Sequence, residues 1–387
     1  MNVCVIGGGG QVAESIGYLL HQRNIKTTYY RPNRVKIVGV PLRPGKSLSR
    51  LTELSISAKT EDIKDKTIKY NWATENDLKK TDIFLFTLPS YLAEYTGFDL
   101  APFLSEKIVI NVSDRFLGTY ALAHEARKRM YKPIKLGIAF NSPPTLAYQL
   151  YRNSDTNFYY NKPYVIASCF PKTASEDIQN IVSSIFGFDK NNIKVLSNML
   201  DLAFENVNSI IHVVQDLINL KTGRYRKPES IYSKGLYTSE MVKQIINIVK
   251  DRDAVARFFT NKVFRQLSTF DESTFFNKNI TSQLSGGTAI YRHNHPLLQK
   301  IPTPQWYAAH GFEDIGWSMV TVESFGKAMG VKTPHISRII DEWNRFMNVD
   351  YRIAGRTTKS LGLLDSIPVE LQRYPRLWSW DEEILYE

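Results

Sequence analysis

Met1-Asn2-Val3-Cys4-Val5-Ile6-Gly7-Gly8-Gly9-Gly10-Gln11-Val12-Ala13 opens the 387-residue chain and decides how the rest is read. Val3 to Ile6 are apolar or β-favouring and predict a short buried strand. After the glycines, Val12, Ile16, Leu19 and Leu20 recur at helical spacing. Strand, glycine turn and helix in direct succession make the start of a dinucleotide-binding unit. Gly7 lets the chain turn sharply out of the strand. Gly9, with no Cβ, lets a pyrophosphate approach the backbone. Gly10, Gln11 and Val12 lead into the helix, whose first N–H groups lack internal partners and whose positive dipole end favours phosphate. The customary third glycine falls at Val12 if Gly7 is the first. In a shifted register Gly8, Gly10 and Ala13 fill the three places. The first register is preferred because it sets Ile16 and Leu19 on the buried face.

Outward from this unit, Ile25 to Tyr30 is rich in β-branched and aromatic residues and predicts the second strand. An acid that holds the ribose 2′-OH of NAD is expected about 20 residues past the glycines. Here the sequence reads Arg31-Pro32-Asn33-Arg34, with no acid. Arg31, with Arg34 close by, suits a 2′-phosphate through bidentate, charge-assisted contact. The expected cofactor is therefore NADP(H), preferred over NAD(H).

Val35–Val40 and Leu51–Ile56 predict short strands, and Thr81–Pro89 a near-continuous apolar strand that ends in a turn at Pro89-Ser90. Lys107–Val112 repeats that pattern, with a crossover helix around Tyr91–Leu104. Continuous apolarity fits parallel strands covered on both faces. Ala121–Met130 predicts a helix. Lys135–Phe140, Tyr164–Cys169 and Ile193–Leu196 predict further strands, with a helix over Ser175–Phe186. The alternation implies an α/β fold: a doubly wound parallel (Rossmann) sheet over residues 1–197. Ligands bind at the C-terminal ends of such strands, so the loops at Gly7–Gln11, Arg31–Arg34 and Pro89–Tyr91 should face the cofactor.

Past Ser197 the character changes. Leu200–Leu220, Met241–Val249, Ala254–Leu267, Ile315–Met329 and Pro334–Phe346 show helical spacing, so residues 198–387 are expected to form an all-α substrate and catalytic domain. The polar stretch Asp271–Pro304 is too long for a routine connection and is a candidate lid or substrate loop. Gly330 suits a helix C-cap. Thr333-Pro334 suits a restart, with Thr333 as N-cap and Pro334 at the first position.

Apolar residues make up 43% and charged residues 22% of the chain, as in an ordinary globular protein. No apolar run approaches the roughly 20 residues that span a bilayer. No basic leader or cleavage site precedes the first strand, so the expected location is cytoplasmic. Cys4 and Cys169 both fall in predicted strands and should be buried thiols. Lys and Arg exceed Asp and Glu by 49 − 38 = 11. The basic residues are dispersed and form no basic, aromatic-interleaved helix. Small anions are therefore the expected partners, with no nucleic acid and no membrane. His293-Asn294-His295 has the spacing of two metal ligands, but no cysteine or acid cluster completes a site, and no metal is expected.

Asn208 and His212 are i and i+4 in an apolar helix that follows the dinucleotide fold, so they share one face. Imidazole titrates near neutral pH, and reduction of a carbonyl or imine needs a proton donor beside the nicotinamide. Taken alone, a histidine on an apolar helix is more often a satisfied core residue. Glu313-Asp314 alone is a helix-start pair favoured by the dipole.

Together these pieces resemble the octopine/nopaline (opine) dehydrogenase family, opine-metallophore-type members included. The resemblance rests on Val5-Ile6-Gly7-Gly8-Gly9-Gly10, on Asn206 to His212 (roughly N-x-N-x-x-x-H), on Glu313-Asp314 and on Gly330-Val331-Lys332-Thr333-Pro334. It implies a Rossmann domain followed by a helical domain. It also implies an oxidoreductase that joins an amino acid's amine to an α-keto acid's carbonyl and reduces the imine with NAD(P)H. By this resemblance His212 matches the catalytic histidine, Asp314 the aspartate that orients it, and Asn208 a substrate-contacting asparagine. The implied partners are an amino acid and an α-keto acid, both small molecules, and a homodimer is left open as the assembly. Two places depart from the pattern. Ala309 and His310 stand where the family commonly has an arginine-tyrosine pair, and Val12 replaces a small residue. A 2-keto-acid or 2-hydroxy-acid reductase on the same plan, and a non-enzymatic NADP-binding sensor or scaffold, are the alternative readings.

Overall fold

A computed structural model describes residues 1–7, 11–32, 53–56, 66–69, 71–129, 132–149, 157–161, 164–171, 175–206, 208–223, 238–259 and 311–363. The expected strand at 35–40, the polar stretch 271–304 with His293 and His295, the second half of the helix expected at 254–267, and Ala309 and His310 lie outside these residues. The chain divides into two compact units, and the change falls between Leu202 and Ala203.

The first unit is built on a seven-stranded sheet. Its strands are β1 (Asn2–Ile6), β2 (Lys26–Tyr30), β5 (Ile83–Phe86), β6 (Ile108–Asn111), β7 (Leu136–Phe140), β10 (Val165–Phe170) and β11 (Ile193–Val195). Their order is β11-β10-β7-β6-β5-β1-β2. β1 lies between β2 and β5 and is parallel to both, with Ile6 opposite Tyr30 and Phe86. The chain thus leaves β1 to one side for β2 and returns on the other for β5, so the strand order reverses at β1. Both faces are covered. Val3, Val5, Ile83, Leu85, Ile110 and Ile138 share a core with Ala13, Ile16 and Leu20 of α1 (Gln11–Gln22) and Ile178, Val182 and Ile185 of α5 (Ser175–Phe186). The alternate residues Cys4, Ile6, Phe84, Phe86 and Val109 are equally buried. On that side α3 (Ala93–Leu104) packs on α4 (Gly118–Arg127), which lies against β6 and β7. Each such buried Val, Ile, Leu or Phe contributes about 1.5–3 kcal/mol relative to an exposed one, which is why the strands read as continuous apolar runs. Cys4 and Cys169 are buried free thiols, and burial, opposed by a Thr28 hydrogen bond, pushes the Cys4 thiol up to about 12.

The sheet departs from the all-parallel expectation at one seam. β10 pairs antiparallel with β7, carrying the parallel β11 with it. The physical reason lies in the connection. Between β7 and β10 the chain forms a hairpin, β8 (Thr145–Gln149) with β9 (Asn157–Asn161), where a parallel return would need a crossover helix. A second hairpin pairs β3 (Glu53–Ile56) with β4 (Lys66–Lys69), and a short helix α2 (Glu75–Lys79) is closed by a Thr74–Asp77 capping box. Neither β4, β8, β9 nor α2 is read from the sequence, and α4 starts three residues before its expected Ala121.

The second unit is helical in its described residues. The helix expected over Leu200–Leu220 is two helices, α6 (Met199–Glu205) and α7 (Asn208–Thr222). The Asn206 side chain accepts a hydrogen bond from the Asn208 N–H at 3.0 Å and so starts α7 afresh. α8 (Ser239–Ala256) is longer than expected, because no glycine or proline interrupts Val249 to Ala254. Residues 311–314 form a helical turn, followed by a π-helical turn, Ile315–Met319, and then α9 (Val320–Ala328). α10 (Pro334–Met347) and α11 (Tyr351–Ala354) follow. α7 is packed by α8, α10 and the π turn, and the Trp343 indole N–H of α10 donates to the Val213 carbonyl at 2.8 Å. No described helix is long and apolar enough to cross a membrane.

Candidate functional site

The C-terminal edge of the parallel strands carries the expected cofactor residues. Gly7 follows β1 with φ +111°, a conformation that L side chains rarely adopt. A Cβ there would meet Thr87 Oγ1 at 2.7 Å and Leu88 Cδ2 at 2.9 Å. Gly7 N–H donates to the Tyr30 carbonyl at 2.9 Å, and Thr87 donates to the Ile6 carbonyl from both its N–H and its hydroxyl. The ends of β2, β1 and β5 are thereby fixed side by side. Gln11 is the first residue of α1, Val12 is half-buried and Ala13 fully buried. Gly17 packs so closely on the Tyr29 ring that a Cβ would strike the phenol oxygen, which lets α1 lie tight on β2. Arg31 is exposed immediately after β2, and the Tyr30 hydroxyl beside it donates to Asp99 of α3 at 2.8 Å. Pro89 precedes the turn Ser90–Leu92 that opens α3. Gly9, Gly10 and Arg34 lie outside the described residues.

A neighbouring loop on the same edge was not singled out in the sequence. After β6, the buried Asp114 accepts hydrogen bonds from the Thr119 N–H and hydroxyl at 2.5 and 2.6 Å. Phe116 and Leu117 take left-handed φ values of 26° and 65°, a strained arrangement for non-glycine residues. The signal was available: Asn111 and Asp114 are polar residues at the end of an apolar strand, where an α/β sheet meets its ligands.

In the second unit, α7 presents an inverted pattern. Ile210, Ile211, Val213, Val214 and Leu217 cover most of its circumference. Asn208, His212, Gln215, Asp216 and Asn219 fall on one arc of roughly 100° by helical geometry. Those polar residues are buried too, except the half-buried Asn208. The π turn opens directly after Asp314, which is fully buried. His212 Nδ1 lies 3.0 Å from Asp314 Oδ2, although 102 residues separate them in sequence. Gly311 lets this segment approach the Trp343 ring, where no side chain would fit, and Phe312 packs on Trp317 and Tyr351. Asp314 thus sits in the helical turn 311–314, beside a tightly packed aromatic cluster. Among the described residues, no group of three or more His, Cys, Asp or Glu could hold a metal ion.

Residues 195–347 match the family described as NAD/NADP octopine/nopaline dehydrogenase, alpha-helical domain. That segment holds α7 and the His212–Asp314 pair. Over those residues the chain is similar to the helical domain of the opine dehydrogenases. An opine dehydrogenase of Arthrobacter sp. (strain 1C) is 26% identical over 168 residues, 43% of this chain and 45% of that relative. The alignment thus spans less than half of the curated relative. Among solved structures, octopine dehydrogenase with NADH and pyruvate gives a TM-score of 0.61 over 96% of this chain and 98% of its own, at 14% identity. Yersinopine dehydrogenase with NADP+ bound gives 0.62 over 99% of both chains, at 12% identity. At such identities the two structures speak for the fold alone, which this chain shares with them.

Proposed function

We propose that the protein is an NAD(P)-dependent oxidoreductase acting on CH–NH bonds. It would condense an amino acid, or an amine derived from one, with an α-keto acid and reduce the imine. The observation that carries this reading is the buried His212–Asp314 pair inside the matched helical domain. An imidazole with Nδ1 turned to a buried carboxylate has its tautomer fixed, with Nε2 as the working nitrogen. His212 takes a proton from the substrate ammonium so that the amine can attack the keto carbon. It then returns one as the carbonyl oxygen leaves as water. Asp314 holds the ring in place and balances the imidazolium while it carries the proton. Asn208, one turn earlier on the same face, would contact a substrate carboxylate or amine.

The residues at the sheet edge fit a dinucleotide. The left-handed Gly7 admits no Cβ, and α1 begins four residues later. Gly7, Gly9, Gly10, Gln11 and Val12 would hold the pyrophosphate, and Pro89 would border the nicotinamide half. The bound cofactor supplies the hydride that reduces the imine. NADP(H) is preferred in this reading because Arg31, and Arg34 after it, occupy the place of the ribose-binding acid. The decisive test is NADPH oxidation against paired amines and α-keto acids. Oxidation that requires both co-substrates supports the proposal. Oxidation with the keto acid alone would point to a simple 2-keto-acid reductase. None with any pair, despite tight cofactor binding, would favour a sensor.

A further inference from the structure

We propose that Gly355 is a positioning residue for the His212–Asp314 pair, acting through the π-helical turn Ile315–Met319. The inference rests on the acid–base reading of that pair. The helical turn 311–314, the π turn and α9 form one continuous run. In the π turn the Val320 N–H donates to the Ile315 carbonyl, five residues back. The π turn therefore inserts one residue into an α-helical run, which is about 100° of rotation. That insertion sets the direction in which Asp314 faces relative to α9, and in that direction Asp314 Oδ2 meets His212 Nδ1 at 3.0 Å.

One short segment, 351–356, touches this run on both sides of Asp314. Two residues before it, the Phe312 ring meets the Tyr351 ring edge-on, with centroids 5.5 Å apart. Two residues after it, the Gly316 carbonyl accepts from the Arg356 N–H at 2.9 Å. The Arg356 carbonyl in turn accepts from the Thr321 hydroxyl of α9 at 3.1 Å. Gly355 lies against the π turn itself. A Cβ there would strike the Gly316 carbonyl oxygen and lie 2.7 Å from the Tyr351 carbonyl oxygen and 2.8 Å from Gly316 Cα. All three are backbone atoms, so no side chain can turn aside to make room. With φ −88° and ψ 176°, position 355 has a conformation open to any residue. Its glycine is therefore required by the approach to the π turn and not by the path of its own chain. A side chain at 355 would displace Gly316, and with it Asp314 two residues away.

The test compares Gly355→Ala with Asp251→Ala in the full chain, with His212→Gln as reference. Asp251 accepts from the His335 and Ile336 N–H groups at the start of α10, so Asp251→Ala serves as a variant of lowered stability. Four quantities are read: kcat with amine, α-keto acid and NADPH; NADPH affinity; melting temperature; and the ¹⁵N ring signals of His212, assigned by their loss in His212→Gln. Gly355→Ala should bind NADPH normally, lower kcat by about 10–100-fold, the scale of a misplacement of about 1 Å, and replace a single Nδ1–H tautomer by a mixture. Asp251→Ala should melt earlier and keep parental kcat and ring signals. Parental ring signals or parental kcat in Gly355→Ala would overturn the proposal, as would the same tautomer mixture in Asp251→Ala. If Gly355→Ala does not fold, Thr321→Val, which removes only the hydroxyl that holds the Arg356 carbonyl, carries the same readouts with a loss of about 2–10-fold; parental ring signals there would then overturn it. The ring signals need no substrate. If His212→Gln turns over normally, the acid–base reading fails while the ring signals still report whether Gly355 acts on the pair.

Discussion

A histidine ring held 3.0 Å from a fully buried carboxylate has one nitrogen committed, and its chemistry must pass through the other. Replacing His212 by glutamine should lower turnover by roughly 10²–10⁴, the scale of acid–base catalysis, while NADPH affinity and melting temperature stay near parental values. An equal loss of stability and activity would mean that the ring only fills the core. Asp314→Asn should also lower turnover, because an amide can offer either its oxygen or its N–H₂ to Nδ1 and no longer fixes the tautomer. At the other site, Arg31→Ala should weaken NADPH binding by about 1.5–3 kcal/mol, the range for hydrogen bonds to charged groups, and leave NADH nearly unaffected. Fluorescence titration of both cofactors checks it; equal loss for the two would remove Arg31 from the 2′-phosphate. These residues were legible to different degrees. Arg31 follows from strand spacing and Gly7 from its place after a strand. His212 and Asp314 needed family resemblance, since no local rule joins residues 102 positions apart.

At the scale of elements, the periodic stretches were the legible ones. β1, β2, β6, α5 and α10 lie within a residue or two of their expected bounds, because each buries a continuous run or a clear apolar stripe. β4, with Lys-Thr-Ile-Lys, has too little apolar surface to announce itself, and α2 spans only five residues. Caps show the limit of local reading most clearly. Thr333 stands at the N-cap position before Pro334, as expected, yet its side chain caps nothing. Asp251 of α8 does so instead, accepting from the His335 and Ile336 N–H groups at 2.6 and 3.0 Å. Asp251→Ala should therefore cost about 1–2 kcal/mol, the upper part of the capping range, and Thr333→Val much less. Equal losses in denaturant titrations would return the cap to Thr333. A second tie joins α9, α10 and α11. Arg352 makes two hydrogen bonds to Glu323, at 2.6 and 2.8 Å, and one to Asp341 at 2.5 Å, while Ser337 donates to Glu323. Burial alone would raise the Glu323 pKa, but Arg352 and Ser337 together hold it below the ordinary value of 4.5. An acid depressed in the folded state adds stability that is complete above its unfolded pKa and fades as pH falls through the folded one. Glu323→Gln should flatten the loss of stability below pH 4.5. A parental slope in that range would place the acid sensitivity elsewhere.

At the scale of the whole molecule, the proposed cofactor and acid–base residues fall in different compact units, so their effects should separate by mutation. Gly7 lies in the first unit, and His212 and Asp314 lie in the second. Gly7→Ala must either strain a backbone at φ +111° or displace Thr87 and Leu88, whose atoms lie 2.7 and 2.9 Å from the new Cβ. Thr87 in turn holds the ends of β1 and β5 together through the Ile6 carbonyl. The substitution should therefore abolish most NADPH affinity at the sheet edge. The His212 ring signals, which depend on Asp314 and on α7, should stay parental. His212→Gln should do the reverse, binding NADPH as the parent does and failing in turnover. Ligand-induced stabilisation gives a second readout, because a ligand that binds only the folded state raises stability by about 2.7 kcal/mol at 100 times its dissociation constant. His212→Gln should keep that gain with NADPH and Gly7→Ala should lose it. If Gly7→Ala also alters the His212 ring signals, the two sites are coupled before any substrate arrives. If His212→Gln loses the NADPH gain, the histidine belongs to cofactor binding and the acid–base assignment falls.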